Sequence, residues 1–269
     1  AAEGNAGPPR RPRGPLTDSE VDTATLRSWL SQWVTTRHRD AAERTLLTVF
    51  TDATGQGPDN GNLPAALFAV AGIRRYADGG HVLDACNKAL ELADHVGSDY
   101  GSQLLPLLAA PLTGARGAEE STPWHHPHEI LELVEAAYAR LPSVLMESMA
   151  SPLVSLATDG PDETVLLTTL LGDDIRQILA AVEDALQVGG SPADVADTVT
   201  YAAGMRLARF APSNEFSDWF YPQHAFIFSN AVAQAVRRTQ DPDVVRSVYD
   251  AAVAVYLGRY LNVPPVPVP

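Results

Sequence analysis

Residues 80–96 read GHVLDACNKALELADHV. At helical spacing this stretch carries His81, Asp84, Lys88, Glu91 and His95 in steps of three, four, three and four, which places all five on one face. The other side is apolar: Val82, Cys86, Ala89, Ala93 and Val96, flanked by Leu83, Leu90 and Leu92. So wide an apolar arc belongs to a helix packed into a core. The polar stripe then faces either water or an internal polar pocket. Asp84 and Lys88 have the spacing of an i,i+4 ion pair, the usual decoration of a solvated face. Histidines at both ends with carboxylates between them suit a pocket instead. Gly97 ends the stretch as a C-terminal helix stop.

The same periodicity recurs along most of the 269 residues. Thr17-Asp-Ser-Glu20 has the pattern of a capping box, followed by a stripe of Leu26, Leu30, Trp33 and Val34. A second helix covers Glu43–Phe50. After the loop Thr54–Asn62, Leu63–Tyr76 is helical, with Ala66, Ala69 and Gly72 small enough for close helix approach. Tyr100–Ala110 follows, stopped by Pro111, then helices over Pro127–Arg140 and Pro142–Leu156. Asp162–Val188 holds one or two helices, bent at Gly172. Ser191-Pro192 caps a helix to about Phe210, His224–Arg238 is strongly apolar, and Asp241-Pro242 opens a last helix to Leu261. No alternating strand pattern and no βαβ unit is present. The expectation is an all-α fold, one domain of about ten helices over residues 16–262. A Gly/Pro/Arg-rich flexible arm precedes it (1–15), and a Pro-rich tail or linker follows (263–269).

Composition limits what such a domain does. Nineteen Lys and Arg against 33 Asp and Glu give a net charge of −14, which repels nucleic acid and anionic membrane surfaces. No apolar run approaches the roughly 18 residues of a spanning helix. The single cysteine, Cys86, forbids an intrachain disulfide and any all-cysteine metal site, and fits a cytoplasmic location.

No phosphate loop, nucleophile elbow or His-Glu-x-x-His helix occurs, and no repeated Glu-x-x-His pair of the di-iron bundles. A site would therefore be assembled from distant segments. The histidines are the candidates: His81 and His95, the cluster Trp124-His125-His126-Pro127-His128-Glu129, and His224 at the head of an apolar helix. Imidazole with carboxylate is the ligand mix of zinc and non-haem iron sites, and helical bundles place such sites between facing helices. The pool of metal ligands is His81, His95, His126, His224 and Glu120, with Glu91, Glu215 and Asp218 as catalytic carboxylates. Asn214, Glu215, Asp218 and Trp219 belong to a polar-aromatic loop, a usual place for function on a helical frame. His81 and His95 stand ~21 Å apart along one helix, so a pocket lies at one end of it. Glu91, one turn away on the same face, points to the His95 end.

Several segments carry a resemblance: GHVLDACNKALELADHVG, LLPLLAAPLTGARGAEESTPWHHP, FAPSNEFSDWFYPQHAFIFSNAVAQAVRR and VYDAAVAVYLGRYLNVPP. Together, over Leu63–Pro265, the chain resembles a bacterial family with a large helical domain followed by a Rieske-type iron–sulfur domain. The positions that match include His81, Asp84, Asn87, Lys88, Glu91, His95, Glu120, His126, Asn214, Glu215, Asp218 and His224. A Rieske centre needs two Cys and two His, which one cysteine cannot supply; the cluster would lie beyond Pro269 or be missing. Asn62-Leu-Pro-Ala-Ala-Leu is similar to the questin-oxidase-like helical oxygenases. The resemblance implies a metal-dependent oxidoreductase of the oxygenase type, holding iron or another divalent metal and acting on a small organic substrate. Two alternatives stand beside it: a redox or maturation accessory that docks a protein partner, and a haem-binding helical domain.

Overall fold

The computed structural model describes residues 14, 22–51, 62–73, 75–76, 79–97, 100–115, 117, 129–150 and 162–261. The fold is all-α, and no strand occurs among these residues. The expected arm apart from Gly14, the Thr17–Glu20 capping box, the Pro-rich tail, and Glu120 and His126 lie outside them.

Helices start where a side chain satisfies the first free N–H groups. Asp22 accepts from the Thr25 N–H at the head of α1 (Thr23–Thr35). α2 (Arg39–Thr51) and α3 (Asn62–Gly72) follow, then α4 (His81–Val96), stopped at Gly97 as its sequence predicts. The expected helix from Tyr100 to Ala110 is instead α5 (Gly101–Leu104), a 3₁₀ turn (Leu105–Leu108) and α6 (Ala109–Gly114). Pro111 does not stop it, because it falls in the first turn of α6, where its missing N–H has no helical partner to lose.

The two helices expected on either side of Leu141 are one, α7 (Ile130–Ala150), with Pro142 inside it. Proline there forfeits the bond to the Tyr138 carbonyl, at about 3 kcal/mol. Val134, Ala137, Tyr138, Leu141 and Val144 form one continuous buried stripe across it, and each large apolar side chain contributes about 1.5–3 kcal/mol. Packing therefore holds the helix through the proline. The region after it divides at residues 171–174 into α8 (Glu163–Leu170) and α9 (Ile175–Gln187), the second capped by Asp174.

α10 (Pro192–Ala208) is capped by Ser191, and α11 (Phe220–Arg238) begins four residues before His224. Asp241 caps the short α12 (Pro242–Val245); α13 (Ser247–Leu257) follows, ending in a 3₁₀ turn (Gly258–Leu261). Every residue of α13 is buried, which makes it the central helix, with α3, α7, α8, α9, α10 and α11 against it. Gly72 meets the Ser247 side chain, so the small face of α3 does permit close approach. Tyr138 donates a hydrogen bond to the Asp250 carboxylate inside this core.

α4 buries Val82, Leu83, Cys86, Asn87 and Leu90. Its polar stripe faces solvent and not an interior pocket: His81, Lys88, Glu91 and His95 are exposed and Asp84 is half-buried. Leu92 and Val96, expected on the packed side, are exposed too. The ion pair on this face joins Lys88 to Glu91 at 2.7 Å, one turn on, in place of Asp84 to Lys88.

No described helix is long and apolar enough to cross a membrane.

Candidate functional site

α4 and α11 are distant in sequence and run side by side. Three contacts share nearly one offset: His81 with His224, Asn87 with Ala231, and Asp94 with Arg238, separated by 143, 144 and 144 positions. A constant offset means that the helices are parallel and in register for roughly 20 Å. Asn87 is the buried pin, donating from Nδ2 to the Ala231 carbonyl at 2.9 Å. Both helices begin at the His81 end.

That end is set by Gly79 and Gly80, with φ of 77° and 79°, a region that glycine enters without steric cost. The two glycines also make room. A Cβ on Gly79 would stand 2.9 Å from the His224 ring, and one on Gly80 2.5 Å from the Phe228 backbone. The turn before α4 is thus pressed against the first turns of α11, and His81 emerges from it facing His224.

The two imidazoles meet edge to face, ring centroids 4.7 Å apart, with Nε2 to Nε2 at 2.8 Å. His224 Nδ1 lies 2.5 Å from the Phe220 carbonyl oxygen. A carbonyl only accepts, so Nδ1 carries the proton and the Nε2 of neutral His224 presents its lone pair. In the neutral pair, His81 Nε2–H donates to it. The two Nε2 atoms face each other, and the contact that orients His224 is a backbone carbonyl. The same contact orients histidine ligands in metal sites.

The distance also suits ligation. Two nitrogens bound to one ion at about 2.0–2.1 Å are about 2.8–3.0 Å apart at a right angle, about 3.3–3.4 Å at the tetrahedral angle and about 4 Å when opposed. The 2.8 Å separation therefore matches right-angle positions and falls short of tetrahedral ones. Among the described residues no set of three or more His, Cys, Asp or Glu completes a metal site, so the pair provides two donors of the three or four that a zinc or non-haem iron site uses. His126 and Glu120 lie outside the described residues.

The other sequence candidates sit apart from the pair in what they bind. Glu91 is exposed, ~15 Å along α4 from His81, and the Lys88 ammonium holds its carboxyl below the usual range while the carboxylate holds Lys88 above its own. His95 is exposed at the far end of α4, where Asp94 pairs with Arg238 at 2.6 Å. The meeting of histidines is thus at the His81 end, the opposite of the end that Glu91 suggested. In the loop before α11, the Asp218 carboxylate accepts the Glu215 N–H at 3.2 Å, and Glu215 itself is exposed.

Beside the pair lies an aromatic run that the sequence reading passed over. Phe220 is tilted over His224 at 6.1 Å, and Phe216 packs edge-on to Phe220 at 5.3 Å. Phe216 is 82% exposed and Phe220 47%. The signal for these residues was their i, i+4, i+8 spacing with His224. Gly79-Gly80 was equally visible, as a helix breaker, with no sign that it faced His224.

No protein-family profile, curated protein or solved structure matches this chain.

Proposed function

We propose that the domain is a metal-dependent oxidoreductase of the oxygenase type, with His81 and His224 as two ligands of a divalent ion, iron being the best fit to the implied chemistry. The observation that carries this reading is the approach of the two Nε2 atoms to 2.8 Å, with His224 Nδ1 committed to the Phe220 carbonyl. Bound iron would supply electron transfer or oxygen activation. The chain's own part is to fix the rings. The Gly79–Gly80 turn sets their approach, the Phe220 carbonyl sets the tautomer, and Phe216 and Phe220 provide apolar surface at the rim for a small organic substrate. His81 is exposed, so the pair is reachable from solvent.

The test is metal analysis of protein purified without a histidine tag, followed by titration with ferrous and zinc ions. About one ion per chain is expected. His81→Gln and His224→Gln should each weaken it at least tenfold, with an unchanged helical circular dichroism spectrum. Tight metal binding that survives both substitutions overturns the assignment of these ligands, and wild-type protein that takes up no metal overturns the metal reading.

A second reading rests on the exposure of Phe216 and Phe220: a redox or maturation accessory that docks a protein partner at the aromatic rim, with the histidines structural. Absence of both metal and visible absorption favours it. A Soret band in the purified protein would instead favour the haem-binding alternative.

A further inference from the structure

α1, the end of α3 and α12 line a half-open cavity of about 370 Å³, within the size range of small-ligand sites. Among the described residues, four guanidinium groups line it, from Arg27, Arg37, Arg75 and Arg246, against one lining carboxylate, Asp243. Four of the 19 basic residues of a chain with net charge −14 thus share one cavity. They come from three separate segments, α1 with its C-terminal cap, the turn after α3 and the end of α12, so no single helix face accounts for them.

Three of the four have a structural duty. Arg75 donates from Nη1 to the Ala115 carbonyl at 2.9 Å. Arg27 donates to both Asp241 and Asp243, with Nη2 2.9 Å from Asp241, and so ties α1 to α12. Arg246 pairs through Nη1 with Asp243 at 2.7 Å. Its guanidinium also stands over the Tyr138 ring, 5.8 Å from the centroid.

Arg37 is the least expected of the set. The end of α1 is a Schellman motif: the His38 N–H reaches the Trp33 carbonyl at 2.8 Å and the Arg37 N–H reaches Val34 at 3.2 Å. Trp33 and His38 supply the accompanying side-chain contact, edge-on at 6.0 Å. In that motif the residue at Arg37's position takes the left-handed conformation and is usually glycine. Here it is arginine at φ 58°, the one non-glycine residue with positive φ among those described. The backbone at this position favours glycine, and the arginine found there brings a guanidinium to the rim of the cavity.

We propose that this cavity binds a small oxyanion, a phosphoryl or carboxylate group, with Arg37, Arg75 and Arg246 as donors and the Ser31 hydroxyl beside them. Guanidinium is the side chain that recognises such groups with paired, charge-assisted hydrogen bonds. Asp243 does not oppose this. It orients Arg27 and Arg246, as carboxylates behind a binding arginine do, and leaves a cationic excess among the described lining residues. The negative charge of the chain as a whole suits a small anion better than a polyanion.

The two sources of the oxyanion are separated by two probes, inorganic phosphate and succinate, each titrated into the full chain at constant ionic strength against chloride. Thermal unfolding and calorimetry are read together. At least one probe should bind saturably, one per chain, and raise Tm as occupancy rises. Binding of phosphate alone assigns a phosphoryl ligand, and of succinate alone a dicarboxylate. Arg246→Gln should weaken the bound probe about tenfold or more. Arg37→Gly is the sharper variant. Glycine suits the left-handed position, so the variant should keep the wild-type helical circular dichroism spectrum while its affinity falls about tenfold. The proposal is overturned if neither probe binds, or if Arg37→Gly and Arg246→Gln bind it as tightly as wild type. An equal rise in Tm for all three proteins with no calorimetric saturation is a solvent effect of the anion and also overturns it.

Discussion

Replacing Gly80 with alanine tests the seam between α4 and α11 directly. Two costs combine at this position. The backbone sits at φ 79°, where an L-residue costs about 1–2 kcal/mol. The new methyl would also lie 2.5, 2.6 and 2.8 Å from Cα, Cβ and N of Phe228. These are backbone and near-backbone atoms of a long buried helix, so they cannot rotate away. Overpacking of this kind costs about 1–3 kcal/mol as the helices shift apart. Gly97, at the other end of the same helix, is the internal control. Its φ is 97° and nothing lies within 4 Å of a Cβ built there, so Gly97→Ala incurs only the backbone cost. Guanidinium titrations of the two variants and wild type, compared at equal m, should give a loss of about 1–3 kcal/mol for Gly97→Ala, whose ψ of 152° lies in a region kept for glycine, and about 2–5 kcal/mol for Gly80→Ala, the sum of its two costs. A Gly80→Ala loss of no more than the ~1–2 kcal/mol of its backbone alone would refute the close apposition of the two helices at the His81 end, and the geometry of the histidine pair with it.

Asp241 and Cys86 give two further tests. Hydrogen bonding from Arg27 holds the Asp241 carboxyl below its usual range. The folded protein therefore takes up this proton less readily than the unfolded chain. The stabilisation is complete above the ordinary carboxylate pKa of about 3.9 and is lost as pH falls through the lower folded value. Asp241→Asn retains an acceptor for the Asp243 N–H at the head of α12 but removes the ion pair. It should cost about 0.5–1 kcal/mol at neutral pH, the range for a partly exposed pair, and the cost should shrink toward pH 3 in urea titrations; a pH-independent cost would show that the pair contributes nothing. Cys86 is fully buried, and burial pushes its thiol pKa up to about 12. A thiol reagent at pH 8 should label it only through unfolding, at a rate that falls as the protein is stabilised; labelling as fast as that of a free thiol would place Cys86 outside the core.

Helix identity was legible because apolar spacing and capping residues report on local chemistry. Ser191-Pro192, Asp241-Pro242 and Gly97 fall where the structure has its helix ends. The misreadings at Pro111 and Pro142 have one cause. A proline's effect depends on its position in the turn and on what the neighbouring face buries, and both are properties of the fold. The orientation of α4 was legible in its apolar arc, but not the fact that the opposite stripe meets water. His224 illustrates the limit for sites. Its partner is 143 positions away, and the pairing is fixed by the register of two helices that no local pattern encodes. The Schellman arginine at position 37 was invisible for a similar reason, since only the backbone conformation makes arginine there unusual.

The His81–His224 contact is poorly explained as a device for holding the fold. Asn87 already pins the same seam from a buried position, with its side-chain amide on a backbone carbonyl. A partly exposed hydrogen bond between two imidazoles adds about 1 kcal/mol at most, and Asp94–Arg238 at the far end is an exposed ion pair of similar weight. Against these gains stand two consecutive glycines in the left-handed region, each with more conformational freedom to lose on folding than any other residue. Neither can be exchanged for a larger residue without displacing His224 or Phe228. A seam built for stability alone would start α4 with a side-chain cap, as α8, α9, α10 and α12 do. Gly80 provides no such cap. The start of α4 thus forgoes a stabilising contact and tolerates a demanding backbone at the point where two ring nitrogens converge. That combination supports the proposed site, in which the approach of the rings would matter more than the strength of the contact, as it does when both must reach one ion or share one proton.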